Sequence, residues 1–340
     1  MGKDKIPLIS VIVPVYNVAS FIEEAVNSIL NQTIQDFEII AIDDCSTDAT
    51  IDILEGIKDA RIKIIKKEKN RGLIDSLNLG FNIAQGKYIA RMDGDDISLR
   101  DRFQKQLEVL ENNEAIKVCG CWLQRFGNSH EIIKHKESHD EIVAHLLLNC
   151  SMSMGATMFE KETFANIIFD KNKKHVEDYD FWARTAWLGK FYNIQEVLYN
   201  YRAHDTQVTY LYTDIQRQGD IGIKLFLFKK LPYNTTVYTD ELITKMLLLD
   251  KQIELREFKL FLKWIKLLIY LNTKYAVYSS FELKKVLNSL KRSILFSIYF
   301  KKTSMGITKK WRMNALFYLS MNDLFFVLKI KQREIRKSWL

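Results

Sequence analysis

Three aspartates follow an apolar segment in the first third of the chain. Residues 88–92 read as a buried strand, and Asp93, Asp95 and Asp96 come directly after it. Because isolated carboxylates are expensive to bury, these side chains must be solvated, paired or bound to a cation. Oxygen ligands suit Mg²⁺ or Mn²⁺, which usually keep open positions for water and substrate phosphates. The segment favours a divalent metal site for a nucleoside diphosphate, and a solvated turn is the plain alternative.

The elements that must position these aspartates alternate between strand and helix. Runs rich in β-branched residues predict parallel strands that are buried on both faces. These predicted strands are residues 8–15, 37–42, 61–66 and 87–92. Helical spacing of apolar residues predicts helices at 22–30, from 48 or 49 to about 57, and at 74–84. Ser20 is the expected cap of the first helix. This order predicts a doubly wound α/β sheet.

Polar residues stand at the ends of three predicted strands, where such sheets bind ligands. They are Tyr16 and Asn17, Asp43 and Asp44, and the aspartates from residue 93 onward. Three polar strand ends predict a site more strongly than any one of them does. The structural alternatives are that Asp43 or Asp44 caps the helix beginning near residue 48, and that Asp96 caps the segment beginning at Ile97.

Composition limits the class of protein. The chain has 340 residues, of which 47% are hydrophobic, so it can bury a large core in about two domains. Its four cysteines lack the paired spacing of a zinc site, and a reduced cytoplasmic protein is the simpler interpretation. Neither a signal segment nor a run of roughly 18 uncharged apolar residues is present, so export and membrane spanning are not expected.

The net charge of +8 is unevenly distributed. Residues 1–210 contain 25 Lys and Arg against 32 Asp and Glu, whereas residues 211–340 contain 25 against 10. Lys259, Lys263 and Lys266 follow a helical spacing beside a broad apolar face, which is typical of a helix on an anionic membrane surface. The alternative is that these helices pack on one another and the lysines are solvated. Nucleic acid ranks lower as a partner, because no nucleic-acid motif is present.

Seven segments of the chain together resemble the glycosyltransferases of family 2. They occur in family order at residues 11–17, 28–33, 43–48, 70–72, 86–96, 177–182 and 201–207. The resemblance covers about residues 7–210, and a finer one is to bacterial enzymes that extend lipooligosaccharide or capsular glycans. It implies a GT-A-type nucleotide-binding sheet, with residues 1–110 as the nucleotide half and 111–210 as the acceptor half. Residues 211–340 would form a mainly helical, basic region that associates with the membrane or only packs.

The resemblance implies which residues bind the donor, a UDP-sugar. Tyr16 would stack on uracil, Asn17 would bond the edge of the base, and Asp43 or Asp44 would accept from uracil or ribose. Asp95 matches the carboxylate that binds Mn²⁺ or Mg²⁺, with His204 completing the metal shell. The remaining residues of the implied donor site are Pro14, Arg71, Gly72, Asp93 and Gly94. One departure stands out: an Arg-Asn pair common in the family reads Leu77-Asn78 here, which removes an expected cation.

The resemblance also implies catalytic and acceptor residues. Asp178 is the predicted base that deprotonates the acceptor hydroxyl, and Glu177 is the alternative. Without the resemblance, both acids would be explained by the preference of carboxylates for a helix N-terminus. Gly155, Ala156 and Trp182 are predicted to contact the acceptor.

The implied activity is inverting transfer of a hexose or N-acetylhexosamine from a UDP-sugar to a saccharide or glycolipid at the cytoplasmic membrane face. The alternatives are a catalytically impaired glycan- or membrane-binding scaffold and another metal-dependent transferase that uses a nucleotide.

Overall fold

The computed structural model describes residues 6–203, 213–301 and 307–337. Contacts divide the chain into two compact units. The N-terminal unit comprises Met1–Leu146 and Cys150–Asp220, and the C-terminal unit comprises Leu147–Asn149 and Ile221–Leu340.

The first part of the N-terminal unit alternates parallel strands with helices. The elements are β1 (Ile9–Val15), α1 (Ile22–Leu30), β2 (Phe37–Asp43), α2 (Thr50–Gly56), β3 (Ile62–Lys66), α3 (Leu73–Ile83) and β4 (Tyr88–Arg91). Each predicted strand and helix is present within about two residues of its expected bounds. Every residue of β2 is buried, as its continuous apolar run requires. The cap at Ser20 was predicted wrongly, because α1 has Phe21 at its N-cap position and no side-chain cap.

The rest of this unit extends the same sheet. Its elements are β5 (Ile97–Ser98), α4 (Arg102–Asn112), β6 (Ile116–Gly127), β7 (Ile132–Ile133), α5 (His139–His145), a 3₁₀ turn (Met154–Ala156), β8 (Met158–Glu160), α6 (Lys161–Phe164), α7 (Glu177–Thr185) and β9 (Lys190–Ala203). The strand order is β3-β2-β1-β4-β8-β6-β9-β5, and β7 pairs with β6. The β1, β2, β3 and β4 pairings are parallel, whereas β8 runs antiparallel to β4.

The buried Gln32 holds the two-residue strand β5 in place. Its side-chain amide donates to Ser98 Oγ at 3.1 Å and to the Leu99 carbonyl at 2.8 Å. Its carbonyl oxygen accepts from the backbone N–H of Phe103 at 3.0 Å. β5 follows the three aspartates directly and pairs with β9, so this buried amide contributes to positioning the acidic loop.

The described residues beyond residue 210 are mainly helical, as predicted. Its helices are α8 (Thr213–Phe228), α9 (Asp240–Leu248), α10 (Leu255–Tyr275), α11 (Ser280–Phe300), α12 (Lys309–Leu316) and α13 (Met321–Lys337). Among the described residues, no helix has the length and apolar character needed to cross a bilayer.

The apolar face of α10 does not form the predicted membrane surface. Phe258, Trp264 and Leu268 have no exposed surface, whereas Lys263 and Lys266 are exposed. Phe228 packs against Trp264 with ring centroids 4.8 Å apart. This face therefore forms the core of the C-terminal unit, and the alternative of helices packing on one another is correct for α10.

Candidate active site

The ends of β1 and β2 meet at one edge of the sheet. Val15 pairs with Asp43 in the parallel register, so the residues that follow β1 face the loop after β2. Asn17 has a left-handed backbone (φ 53°). Its Oδ1 accepts from the Thr47 N–H at 2.8 Å, and its own N–H donates to Ser46 Oγ at 3.0 Å. The Asn17 amide that was predicted to bond the edge of a base therefore has its oxygen engaged with the neighbouring loop. Tyr16, by contrast, is 47% exposed.

Asp43 and Asp44 are both buried and serve different backbone donors. Both oxygens of Asp43 lie within 3.2 Å of the Ser46 N–H. Asp44 accepts from the N–H groups of Arg71 at 2.8 Å and Gly72 at 2.7 Å. It also pairs with the buried Lys67 at 2.6 Å. Asp44 thus builds the turn before α3.

Neither Asp43 nor Asp44 caps α2, so the alternative that one of them caps this helix is wrong. Asp48 is the local acceptor: its Oδ1 receives the Thr50 N–H at 3.0 Å, and its Oδ2 receives the Ala19 N–H at 3.0 Å.

The turn before α3 has the geometry expected of its glycine. Gly72 has φ 88°, a conformation that side chains with a Cβ rarely adopt. Arg71 is exposed. The departure at Leu77-Asn78 has a structural explanation, because Asn78 donates to the Phe169 carbonyl at 3.0 Å and accepts from the Phe169 N–H at 2.8 Å. Asn78 therefore joins α3 to the loop before α7.

A cavity of about 290 Å³ lies beyond β4, between the acidic loop and the start of α7. Its charged lining combines two arginines with four carboxylates: Arg91, Arg125, Asp93, Asp96, Glu177 and Asp178. Apolar and hydroxyl groups form the remaining wall, among them Leu77, Leu123, Ser153, Gly155, Tyr199 and Tyr201. The structure thus brings the predicted catalytic pair together with Asp93 and Gly155. The residues at the ends of β1 and β2 do not line this cavity.

Arg91 and Asp93 form an ion pair in the cavity wall. The Arg91 guanidinium is buried and donates through Nη1 to Asp93 Oδ2. The backbone N–H of Asp93 donates to the Tyr199 hydroxyl at 3.2 Å. A Cβ added at Gly155 would lie 2.8 Å from both Arg91 Nη1 and Asp93 Oδ2. The backbone at position 155 therefore approaches the ion pair so closely that only glycine fits there.

Asp96 connects the acidic loop to β9. Its Oδ1 accepts from the Arg202 N–H at 2.8 Å, and Arg202 Nε donates to the Asp95 carbonyl at 2.7 Å. The suggestion that Asp96 caps the segment at Ile97 is wrong, because that segment is strand β5 and the carboxylate bonds to β9. Burial, followed by the charges of Asp93 and Asp95, raises the pKa of Asp96 well above its ordinary value.

Glu177 and Asp178 are adjacent carboxylates in the first turn of α7. Burial and the charge of Asp178 raise the pKa of Glu177 to about 7, although Arg91 opposes the shift. Burial also raises the pKa of Asp178, against the effects of the Tyr179 N–H and Arg91. The N–H of Tyr179 lies 2.7 Å from Asp178 Oδ1. Near neutral pH the Glu177 carboxylate can therefore take up a proton, as a general base must, and the pKa of Asp178 is shifted in the same direction.

The donor set at the acidic loop suits a hard divalent cation. Asp93 and Asp95 offer oxygen ligands, and burial followed by the unfavourable effect of Asp95 keeps the pKa of Asp93 raised in spite of Arg91. A bound cation would relieve this repulsion. Over the described ranges, no group of three or more His, Cys, Asp or Glu side chains is arranged around a metal position. The predicted ligand His204 lies outside the described residues.

Four other predicted site residues lie at packed positions. Pro14 pairs with Ile42 within the sheet, and a Cβ at Gly94 would lie 2.8 Å from Val15 Cγ1. Ala156 is 1% exposed and belongs to the core. Trp182 has no exposed surface, and its ring packs 5.1 Å from that of Phe181. We assign Ala156 and Trp182 to the core, which corrects the predicted acceptor contacts.

Arg91, Tyr199 and Arg125 received no role from the sequence. A signal for Arg91 was present, because a charged residue inside a buried strand requires a partner. Tyr199 and Arg125 come from β9 and β6, far along the chain, and no local pattern marks them.

Comparisons with known proteins agree with this architecture. The glycosyl transferase family 2 model matches residues 10–185. A Haemophilus influenzae protein described as an uncharacterized glycosyltransferase is 37% identical over 236 residues, which are 64% of this chain and 72% of that protein. A putative teichuronic acid biosynthesis glycosyltransferase of Bacillus subtilis, TuaG, is 32% identical over 211 residues, or 60% of this chain and 82% of the relative.

A solved structure shows the same fold at low sequence identity. The structure of S. aureus TarS 1–349 with UDP-GlcNAc has a TM-score of 0.56 and 15% identity, covering 88% of this chain and 97% of that one. The GT-A-type fold is thereby confirmed. Because the family match spans more than half of the 340 residues, the chain belongs to glycosyltransferase family 2.

Proposed function

We propose that this glycosyltransferase moves a hexose or N-acetylhexosamine from a UDP-sugar to a hydroxyl of a saccharide acceptor, with inversion at the anomeric carbon. The observation that carries the proposal is the cavity in which Glu177 and Asp178 face Arg91 and the acidic loop. Inverting transfer needs a carboxylate base on one side of the sugar and stabilisation of the leaving diphosphate on the other.

The donor binds at the carboxyl ends of β1, β2 and β4. Support comes from the register that brings these strand ends to one edge, and from the UDP-GlcNAc in the TarS complex of the same fold. The exposed ring of Tyr16 stacks on the base, Asp43 accepts from it, and Arg71 faces the phosphates from the turn that Asp44 and Gly72 hold. Gly94 and Pro14 contribute through close backbone packing at this edge.

Asp95 and Asp93 would hold Mn²⁺ or Mg²⁺, and His204, which lies outside the described residues, would be the third ligand. When bound, the metal neutralises charge that develops on the diphosphate. Arg91 holds Asp93 in place and limits the repulsion among the cavity carboxylates.

Asp178 takes the proton from the acceptor hydroxyl. Its raised pKa suits this role, because a base is most effective when its pKa approaches the working pH. Glu177 is the second candidate, with a pKa of about 7. The acceptor sugar lies against Gly155 and the tyrosines of the cavity wall.

The acceptor belongs to a cell-surface glycan, such as lipooligosaccharide or capsule, built at the cytoplasmic face of the membrane. Support for a role in glycan synthesis comes from the 32% identity to TuaG, a putative teichuronic acid biosynthesis glycosyltransferase. The large positive charge of residues 211–340 supports peripheral contact with an anionic membrane.

Metal-dependent UDP release from a panel of UDP-sugars, with and without saccharide acceptors, tests this function. Asp178→Asn should reduce turnover about a thousandfold while UDP still binds, because only the base is lost. A comparable loss in Glu177→Gln, with Asp178→Asn nearly active, would transfer the base role to Glu177.

The matched control is Asp140→Asn, an exposed acid in the first turn of α5. It should change turnover less than about twofold, because Asp140 is exposed and does not line the cavity. UDP binding without turnover for any donor and acceptor would instead favour the impaired scaffold.

A further inference from the structure

A second cavity, of about 770 Å³, lies within the C-terminal unit. The end of α11, α12 and α13 form its walls, which are mainly apolar and include Met313, Leu316, Met321, Phe325 and Leu328. We call it the α12–α13 groove. It is distinct from the active-site cavity and contains none of the proposed catalytic residues.

The apolar face of α13 in this groove is exposed. Met321 is 66% exposed and Phe325 is 64% exposed, and with Leu328 they follow a spacing that places them on one side of the helix. The opposite side is anchored, because the buried Asp323 pairs with Lys291 of α11 at 2.9 Å. The helix is therefore held by one face and presents its apolar face outward.

Basic side chains border this apolar surface. Lys309, Arg312 and Lys331 line the groove, and no acidic side chain among the described residues does so. Asp323 lies on the anchored side and is neutralised by Lys291. Residues 211–340 contain 25 basic against 10 acidic residues, so the surroundings are also positive.

We propose that the α12–α13 groove is the surface by which this protein binds anionic phospholipid bilayers. An apolar face bordered by cations matches the boundary between acyl chains and phosphates, where apolar contact and charge attraction act together. Met321 and Phe325 enter the apolar layer, while Lys309 and Lys331 contact lipid phosphates. This assignment replaces the α10 face. The proposal rests on the proposed function only because that function places the protein at the membrane; lipid binding itself needs no sugar transfer.

Co-sedimentation of the full chain with vesicles tests the proposal. One set contains phosphatidylcholine alone, and the other contains phosphatidylcholine mixed with phosphatidylglycerol. The native chain should bind the mixed vesicles at least about tenfold more strongly. Phe325→Ser and Met321→Ser should each weaken that binding about tenfold, because each removes one inserted apolar side chain. Lys309→Gln combined with Lys331→Gln should weaken it by a similar factor.

Matched variants elsewhere in the same unit provide the controls. Phe281→Ser removes an aromatic ring that is 74% exposed, and Lys263→Gln with Lys266→Gln removes two exposed lysines of α10. Both should bind mixed vesicles within about twofold of the native chain, because neither site lines the groove.

Three outcomes would overturn the proposal. They are equal binding of the native chain to both vesicle types, equal losses in the groove and control variants, and a groove variant that leaves vesicle binding intact while dissociating a dimer. UDP release with a soluble acceptor should stay unchanged in every variant. If the native chain released no UDP with any donor and acceptor, the proposed function would be refuted, and the vesicle result would still hold.

Discussion

Two groups of buried carboxylates in the N-terminal unit differ in how well neighbouring groups compensate their burial. The β2 carboxylates, Asp43 and Asp44, receive backbone N–H groups, and Asp44 also receives Lys67. The cavity carboxylates, Asp93, Asp96, Glu177 and Asp178, share one cavity, and each has a raised pKa. Their burial is thus compensated incompletely by Arg91 and backbone donors.

The difference separates carboxylates that stabilise the fold from carboxylates that are available to bind a cation or a proton. A carboxylate that accepts several hydrogen bonds, as Asp44 does, stabilises the chain around it and has little capacity left for a ligand. Among the described residues, Asp43 receives the N–H of Ser46 alone and keeps capacity for a further donor. Carboxylates that repel one another destabilise the unliganded protein, and a cation or a proton relieves that repulsion. We therefore expect substitutions in the two groups to change stability with opposite signs.

The largest effect on stability is expected for Asp44→Ala. The substitution removes the acceptor of two N–H groups and one partner of Lys67, whose side chain is 8% exposed. Unfolding in denaturant should show a loss of about 2–4 kcal/mol. Asp75→Ala is the control, because Asp75 also pairs with Lys67 but is 40% exposed, and it should cost less than about 1 kcal/mol. Equal costs would show that Asp44 does not organise the turn.

A smaller effect of opposite sign is expected for Glu177→Gln. The pKa of Glu177 rises from 4.5 to about 7 on folding, so between these values the folded state holds a proton that the unfolded state has lost. Stability therefore falls as pH rises through this window. Glu177→Gln should raise the free energy of unfolding by about 1–3 kcal/mol near pH 8.

The gain should disappear near pH 4, where the glutamate is protonated in both states. A gain of the same size at both pH values would mean that the charge of Glu177 is not its cause. Asp140→Asn, on the exposed helix α5, should change stability by less than about 0.5 kcal/mol at either pH.

The smallest effect is a titration shift between neighbours. The charge of Asp178 is one cause of the raised pKa of Glu177. Asp178→Asn should therefore move the pKa of Glu177 below about 7, toward its ordinary value. Carboxyl NMR titration of both proteins measures this directly. An unchanged pKa would show that burial alone sets it.

The parallel half of the fold was predictable because its signals are local. The strands β1 and β2 are buried on both faces and therefore read as continuous β-branched runs. The acidic end of β4 was visible for the same reason. A helix N-terminus was the structural alternative for Glu177 and Asp178, from the preference of carboxylates for that position, and the structure has them in the first turn of α7.

Features that depend on tertiary contacts were not predictable. The apolar stripe of α10 has the same pattern whether it meets a membrane or other helices, and the structure buries it. Trp182 lies one turn from the carboxylates, yet it points into an aromatic core formed by distant segments. Which aspartate receives backbone donors depends on where Ser46, Arg71 and Arg202 lie after folding.

The short strand β5 has a consequence for ligand affinity. It ties the downstream end of the acidic loop to β9, while β4 ties the upstream end to β1 and β8. Only residues 92–96 lie between these anchors. A loop fixed at both ends loses little conformational entropy when it binds a ligand, so more of the contact energy is available for affinity. On the proposed function, the Gln32 hydrogen bonds behind β5 contribute to donor binding by preorganisation, without any contact with the ligand.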